Sequence, residues 1–219
     1  VLREMMEKSY AILKDHPVNQ ARKEKGLNPA NSVWFWGAGT RPMLTSFEKK
    51  NQVKGAMISA VDLLKGIAVG ADMYNITVEG ANGGLHTNYA GKANAAVKAL
   101  TEEGYDFVYI HIEAPDEMGH QGNIEDKIEA IERIDAQIIG PVADKLREAG
   151  EAFRMLVLPD HPTPIRLRTH TSSPVPYLLY DSTQKAEGKE SYCEKTAEQT
   201  GIFQEKGHEL LKHLLKKGK

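Results

Sequence analysis

The stretch FVYIHIEAPDEMGH, residues 107–120, decides the fold, because it passes from strand chemistry to site chemistry without a break. Phe107 to Ile112 is apolar and rich in aromatic and β-branched side chains, which suits a strand. Pro115 has no N–H to give a ladder and stops the pairing. Beyond it the chain presents Asp116 and His120, four positions apart. If that segment turns helically, both side chains face the same way. Open α/β sheets carry their sites outside the carboxyl ends of the strands, and this is such an end.

The same succession recurs downstream. The strand-like RMLVL, residues 154–158, runs into PDHPTP and sets Asp160 and His161 side by side. In an extended stretch adjacent side chains point to opposite sides, so the two can reach different ions. His170 follows in RLRTHTSSPVP, just before the apolar run Val175 to Tyr180. Carboxylates and imidazoles suit manganese, zinc or related divalent ions. Each group also has a plainer reading: Asp-x-x-x-His is a weak motif by itself, Asp160-His161 can cap a loop, and His170 can be an ordinary polar loop residue. Three such groups, two of them directly after apolar strands, favour the metal.

Upstream, strand patterns at Val53–Ile58 and Asn75–Val78 alternate with helix patterns at Ser59–Val69 and Gly91–Glu103. A long helix over Ile124–Ala149 and a carboxy-terminal helix over Gly201–Lys217 complete the set. This alternation predicts an α/β fold with a largely parallel sheet covered by helices on both faces. Residues 1–26 read as one or two helices interrupted at His16-Pro17, followed by a short strand at Val33–Trp36 and the turn-rich GAGTRPM, the end of one structural unit. The first ten residues resemble the middle of a helix, and a fragment of a longer chain is expected.

With 219 residues and 41% hydrophobic content, the chain can bury one substantial core, about 70% of its unfolded surface by size scaling. A net charge of -2 from 28 basic and 30 acidic residues gives no electrostatic footprint for nucleic acid or an anionic membrane. Cys193 is the single cysteine, so neither a disulfide framework nor a cysteine zinc site is available, and a reducing cytoplasm is the expected setting. No apolar run approaches the roughly 20 residues that span a bilayer. In the basic, amphipathic tail GHELLKHLLKKGK, leucines at helical spacing are expected to face a core. The glycines of GAGT and EGANGG lack the strand, helix and acidic residue of a dinucleotide site and read as turns, and no phosphate-binding P-loop is present.

The strings FVYIHIEAPDEMGHQGN, LVLPDHPTP and RTHTSSPVPYLLYD resemble the metal-binding half of the alkaline phosphatase superfamily. Together with NPANSVWFWGAGTRP, GAMISAVDLLKGI, VEGANGGLHTNYAGKA and FQEKGHELL, they are similar to the archaeal-type, bisphosphoglycerate-independent phosphoglycerate mutases over nearly the whole chain. The resemblance implies an alkaline phosphatase-like fold, with residues 1–45 as the tail of an inserted substrate-capping domain and 46–219 as the carboxy-terminal part of the phosphatase-like domain. It also implies two divalent ions, manganese first, with zinc, cobalt or magnesium as alternatives. Asp116, His120 and His170 would hold one, and Asp160 and His161 would contribute to the other. Lys65 is the implied lysine near the phosphoryl group, while Arg41, Arg166 and Arg168 are candidates for gripping a phosphoglycerate. The early aspartate and nucleophilic serine of the family occur in no recognisable motif here, since Ser59, Ser172 and Ser173 stand in other contexts. Turnover is therefore expected of the intact protein and not of this chain alone. A hydrolase of phosphate or sulfate esters, a phosphotransferase and a metal-binding scaffold without turnover are the competing readings.

Overall fold

The computed structural model describes residues 1–37, 39–40, 42–184, 188 and 191–215. Two compact units are distinguished, Val1–Met43 and Leu44–Lys219. The first holds α1 (Leu2–Leu13) and α2 (Pro17–Glu24). His16 caps α2, its ring Nδ1 accepting from the Val18 N–H, and Pro17 occupies the first turn, where a missing N–H costs nothing. Asn19, 3% exposed, holds the unit together by donating to the carbonyls of Leu13 and Ala30 and accepting from the Ala30 N–H. The strand expected at Val33–Trp36 does not form. The Val33 N–H goes instead to the Ser9 hydroxyl, and Trp34 and Trp36 stand exposed.

The second unit begins with α3 (Phe47–Asn51) and continues through β1 (Gly55–Ile58), α4 (Asp62–Gly70), β2 (Tyr74–Asn75), α5 (Tyr89–Thr101) and β3 (Phe107–Ile110). β1 is the centre of a three-stranded parallel sheet, with β2 on one side and β3 on the other. All four of its residues are buried, as a strand flanked and covered on both faces requires. A side chain at Gly55 would bring its Cβ within 2.7 Å of the Phe47 ring, so glycine there lets α3 close over the sheet. α4 packs on β1 and β2, and α5 on β1 and β3.

After β3 come α6 (Ala114–Gln121) and α7 (Ile124–Ile134), then a π-helical turn at Asp135–Ile139 that leads into α8 (Gly140–Glu148). The single helix expected over 124–149 is thus continuous in path but not in hydrogen bonding. Pro141 offers no N–H to the preceding turn, and the Gly140 N–H reaches back five residues to the Asp135 carbonyl. Tyr89 and Ala93 of α5 form a core with Ile138, Val142 and Leu146, against which Ile110, Ile112 and Met155 pack.

β4 (Arg154–Val157) and β5 (Leu178–Asp181) form a separate antiparallel pair, in register from Arg154 with Asp181 to Val157 with Leu178. The parallel expectation therefore holds for the first sheet and not for these two strands. β5 also starts later than expected, because Pro174 and Pro176 remove the donors that a strand from Val175 would need. The chain continues through α9 (Glu194–Glu198), a 3-10 turn at Gly207–Glu209 and α10 (Leu210–Leu214). The long helix expected from Gly201 is cut short by Gly201 itself, at φ +66, and by the 3-10 turn at Gly207. Leu210 is buried, as the leucine spacing predicts. No helix among the described residues is long and apolar enough to cross a membrane.

Candidate metal centre

β3 ends at Ile110, and the chain turns directly into α6, so the helix expected at EAPDEMGH is present and carries both Asp116 and His120. Asp116 Oδ2 lies 3.3 Å from His120 Nε2. His170 comes in from the loop before β5, with its Nε2 3.3 Å from Asp116 Oδ1 and 3.0 Å from His120 Nε2. These three side chains form the one cluster of His, Cys, Asp or Glu with metal-holding spacing among the described residues.

The donor set fits a divalent ion. With metal–ligand bonds of about 2.1 Å, neighbouring ligands stand roughly 3.0 Å apart in an octahedron and roughly 3.4 Å apart in a tetrahedron. The observed separations of 3.0 and 3.3 Å fall in that range. The hydrogen bonding agrees. His120 Nδ1 is 3.0 Å from the Arg168 carbonyl, which can only accept, so Nδ1–H donates there and Nε2 is the nitrogen turned toward the cluster. Arg168 adopts a left-handed backbone, φ +53, which a side chain with a Cβ seldom takes. Gly122, at φ +73, ends α6 where a Cβ would collide with the Arg168 guanidinium.

Asp160 and His161 lie in a bend and not in an extended stretch, so the opposite-facing arrangement is not what forms. His161 Nε2 is 3.8 Å from Asp160 Oδ2, while Nδ1 on the ring's other side is 3.9 Å from Asp116 Oδ1. The His161 and His170 rings lie 3.7 Å apart between centroids, tilted by 31°. Asp160 is largely exposed. All five candidate ligands are thus linked, with His161 between Asp160 and the three-residue cluster.

The cationic candidates stand differently. Lys65 pairs with Asp62 at 3.2 Å within α4. Arg166 is exposed, the Arg168 guanidinium packs by Gly122, and Arg41 lies outside the described residues.

Sequence reasoning missed the groups that surround the candidate ligands. Thr163, 4% exposed, donates its hydroxyl to Asp116 Oδ1, and Lys127 Nζ donates to the Thr163 carbonyl at 2.7 Å. Burial lowers the Lys127 pKa, opposed by the charges of Asp116 and Glu194. On the other side, Lys92 is 1% exposed and donates to the His111 carbonyl at 3.2 Å. Burial pulls its pKa down against the opposing charge of Glu113. Burial and the Lys92 charge hold His111 below the usual imidazole range, while Asp160 and Asp116 pull the other way. Its ring, half-buried at the end of β3, contacts the Ser59 hydroxyl at 3.3 Å, as a packing histidine does. A lysine on an amphipathic helix ordinarily reads as a solvated face, so nothing in the spacing marks Lys92 or Lys127. Concavity does not locate the site either: the indentation lined by Glu48, Lys54, Asp72, Tyr74 and Tyr105 shares no residue with it.

Residues 6–217 match the Metalloenzyme superfamily. The chain belongs to that superfamily. Among curated metalloenzyme relatives, the 2,3-bisphosphoglycerate-independent phosphoglycerate mutase of Methanothrix thermoacetophila is 45% identical over 215 residues, which is 98% of this chain and 54% of that protein. The mutase of the same description from Methanosarcina mazei is 45% identical over 214 residues, 97% of this chain and 53% of its own length. The chain therefore spans about half the length of the curated relatives it matches. Among solved structures, a Pyrococcus horikoshii protein superposes with a TM-score of 0.74 at 33% identity, over 90% of this chain and 51% of that one. A cofactor-independent phosphoglycerate mutase from Thermoplasma acidophilum gives 0.54 at 27% identity, over 88% and 44%. The α/β architecture of this metalloenzyme chain, with its parallel sheet, agrees with both.

Proposed function

We propose that this chain is the metal-holding half of an enzyme that interconverts 3-phosphoglycerate and 2-phosphoglycerate in the cytoplasm, by phosphoryl transfer through a serine that lies outside these 219 residues. The observation that carries the proposal is the convergence of Asp116, His120 and His170, with His161 and Asp160 adjoining, in a chain about 45% identical to mutases over nearly its whole length. Two divalent ions, manganese first, are the proposed cofactors. An ion at such a site supplies Lewis-acid polarisation of a phosphoryl oxygen and stabilises charge on attacking and leaving oxygens.

The chain's own residues do the holding and orienting. His120 is fixed in one tautomer by the Arg168 carbonyl, so its Nε2 needs no reorganisation to bind. His161 lies between Asp160 and the cluster of Asp116, His120 and His170, and ties the two proposed ligand groups in space. Lys65 and the arginines at 41, 166 and 168 are the cations proposed to meet phosphoryl and carboxylate oxygens, and residues 1–45 are proposed as the tail of a domain that caps the substrate. Keeping the glycerate bound between donation and return is what makes such an enzyme a mutase, and a cap that excludes water serves that end. The chain alone is proposed to bind metal without turnover.

The test uses the full-length protein, with 3-phosphoglycerate and manganese but neither bisphosphoglycerate nor ATP. Formation of 2-phosphoglycerate without free phosphate supports the mutase; free phosphate alone replaces it with an ester hydrolase. In the same protein, Asp116→Ala or His161→Ala is expected to lower metal content and abolish turnover, and full activity in either would sink the ligand assignment.

A further inference from the structure

We infer that Thr163 and Lys127 are positioning residues for Asp116, clamping the loop after β4 onto α6 so that the carboxylate is oriented before an ion arrives; this rests on the metal reading above. Thr163 is a buried joint with three attachments. Its hydroxyl donates to Asp116 Oδ1 and lies 3.3 Å from His161 Nδ1, and its carbonyl accepts from Lys127 Nζ at 2.7 Å. One residue thereby connects α6, the Asp160-His161 bend and α7.

The close approach is built into the helix. A Cβ at Gly119 would lie 2.6 Å from the Thr163 carbonyl oxygen and 2.9 Å from Lys127 Nζ, so only glycine on that face of α6 admits the loop and the ammonium together. The Thr171 N–H donates to the Pro162 carbonyl at 3.0 Å, which binds the segment carrying His170 to the same loop. Donors placed in three different parts of the chain are in this way indexed to one threonine.

The chemistry gives the clamp a direction. A carboxylate left to rotate presents either oxygen in any direction, whereas a hydroxyl proton held on Oδ1 fixes its plane, with Oδ2 3.3 Å from His120 Nε2 and Oδ1 3.3 Å from His170 Nε2. Lys127 has no contact with the ligands in this arrangement; its part is to fix the peptide that aims the hydroxyl. Because the ammonium is charged, it gives a stronger bond to a carbonyl than a neutral donor would. Outer-shell partners of this kind commonly alter metal affinity by about 10–100-fold.

Cobalt(II) titration of the 219-residue chain, read by visible absorption, tests the inference. Thr163→Val and Lys127→Met are expected to weaken cobalt binding about 10–100-fold and to shift the absorption bands that report ligand geometry. Thr163→Ser and Lys127→Arg, which restore the hydroxyl and the cation, are expected to recover both. In an Asp116→Asn background, Lys127→Met should cause no further loss, since it acts through that carboxylate. Wild-type chain that binds no cobalt would remove the metal reading and the clamp with it. Wild-type binding with an unchanged affinity and spectrum in folded Thr163→Val and Lys127→Met would overturn the clamp alone. Should Lys127→Met fail to fold, the Thr163 Val and Ser pair decides the question by the same readout, because it leaves the ammonium in place.

Discussion

Replacing His120 with alanine removes one of three side chains whose donor atoms all lie within 4.8 Å of one another. Four-ligand zinc sites are worth about 10–16 kcal/mol, or about 2.5–4 kcal/mol per ligand, so the substitution should weaken divalent metal binding by ~10²–10³-fold. Its effect on folding is small by comparison. The hydrogen bond from Nδ1 to the Arg168 carbonyl contributes about 1 kcal/mol, and alanine near the end of α6 returns up to ~0.7 kcal/mol in helix propensity. Calorimetric titration with manganese or zinc, alongside urea unfolding without metal, separates the two. His86→Ala is the matched control: His86 is exposed and contacts Arg133 instead of the cluster. If His120→Ala binds metal within about threefold of the wild type, a shift of less than ~0.7 kcal/mol, the three side chains do not form a metal site, whatever their spacing.

Two glycines on helices should respond oppositely to the same change. Gly119→Ala forces a Cβ against the Thr163 backbone, an overpacking cost of about 1–3 kcal/mol that outweighs its helical gain, so the urea midpoint should fall; a rise would show that the loop yields freely. Gly66→Ala in α4 faces open space and should raise stability by ~0.5–1 kcal/mol, measured the same way. Lys92 supplies a pH test. Burial depresses its pKa in the folded chain, so between that value and the unfolded value of about 10.4 the unfolded chain binds more protons, and stability gains with rising pH through that window. Urea unfolding at a series of alkaline pH values up to about 10.4 should therefore show wild type gaining on Lys92→Met, and parallel profiles would refute the assignment.

Much of this was legible in residue order because strand ends and candidate ligands coincide. FVYI followed by a proline and Asp-x-x-x-His placed α6 and its two candidate ligands, and RMLVL before Asp-His placed β4 and the bend. What periodicity could not supply was sheet partnership: nothing local in Leu178–Asp181 says that it runs antiparallel to β4. Val33–Trp36 failed as a strand for a related reason, since apolar composition offers a strand but a pairing neighbour makes one. The supporting groups were hidden more deeply. Thr163 and Lys127 are ordinary residues for a loop and a helix, and only the close approach permitted by Gly119 brings them to Asp116.

Arg168 separates conformation from identity. The peptide carbonyl at this position accepts the hydrogen bond from His120 Nδ1, and the backbone presents it from the left-handed region. Glycine or asparagine would occupy that region more readily and keep the acceptor, whereas a β-branched residue would be driven out of it. As far as His120 is concerned, drift at position 168 is tolerated along the axis of side-chain chemistry and resisted along the axis of backbone shape. The site's most important neighbour at this point is a peptide plane, which substitution scanning by charge or size would pass over.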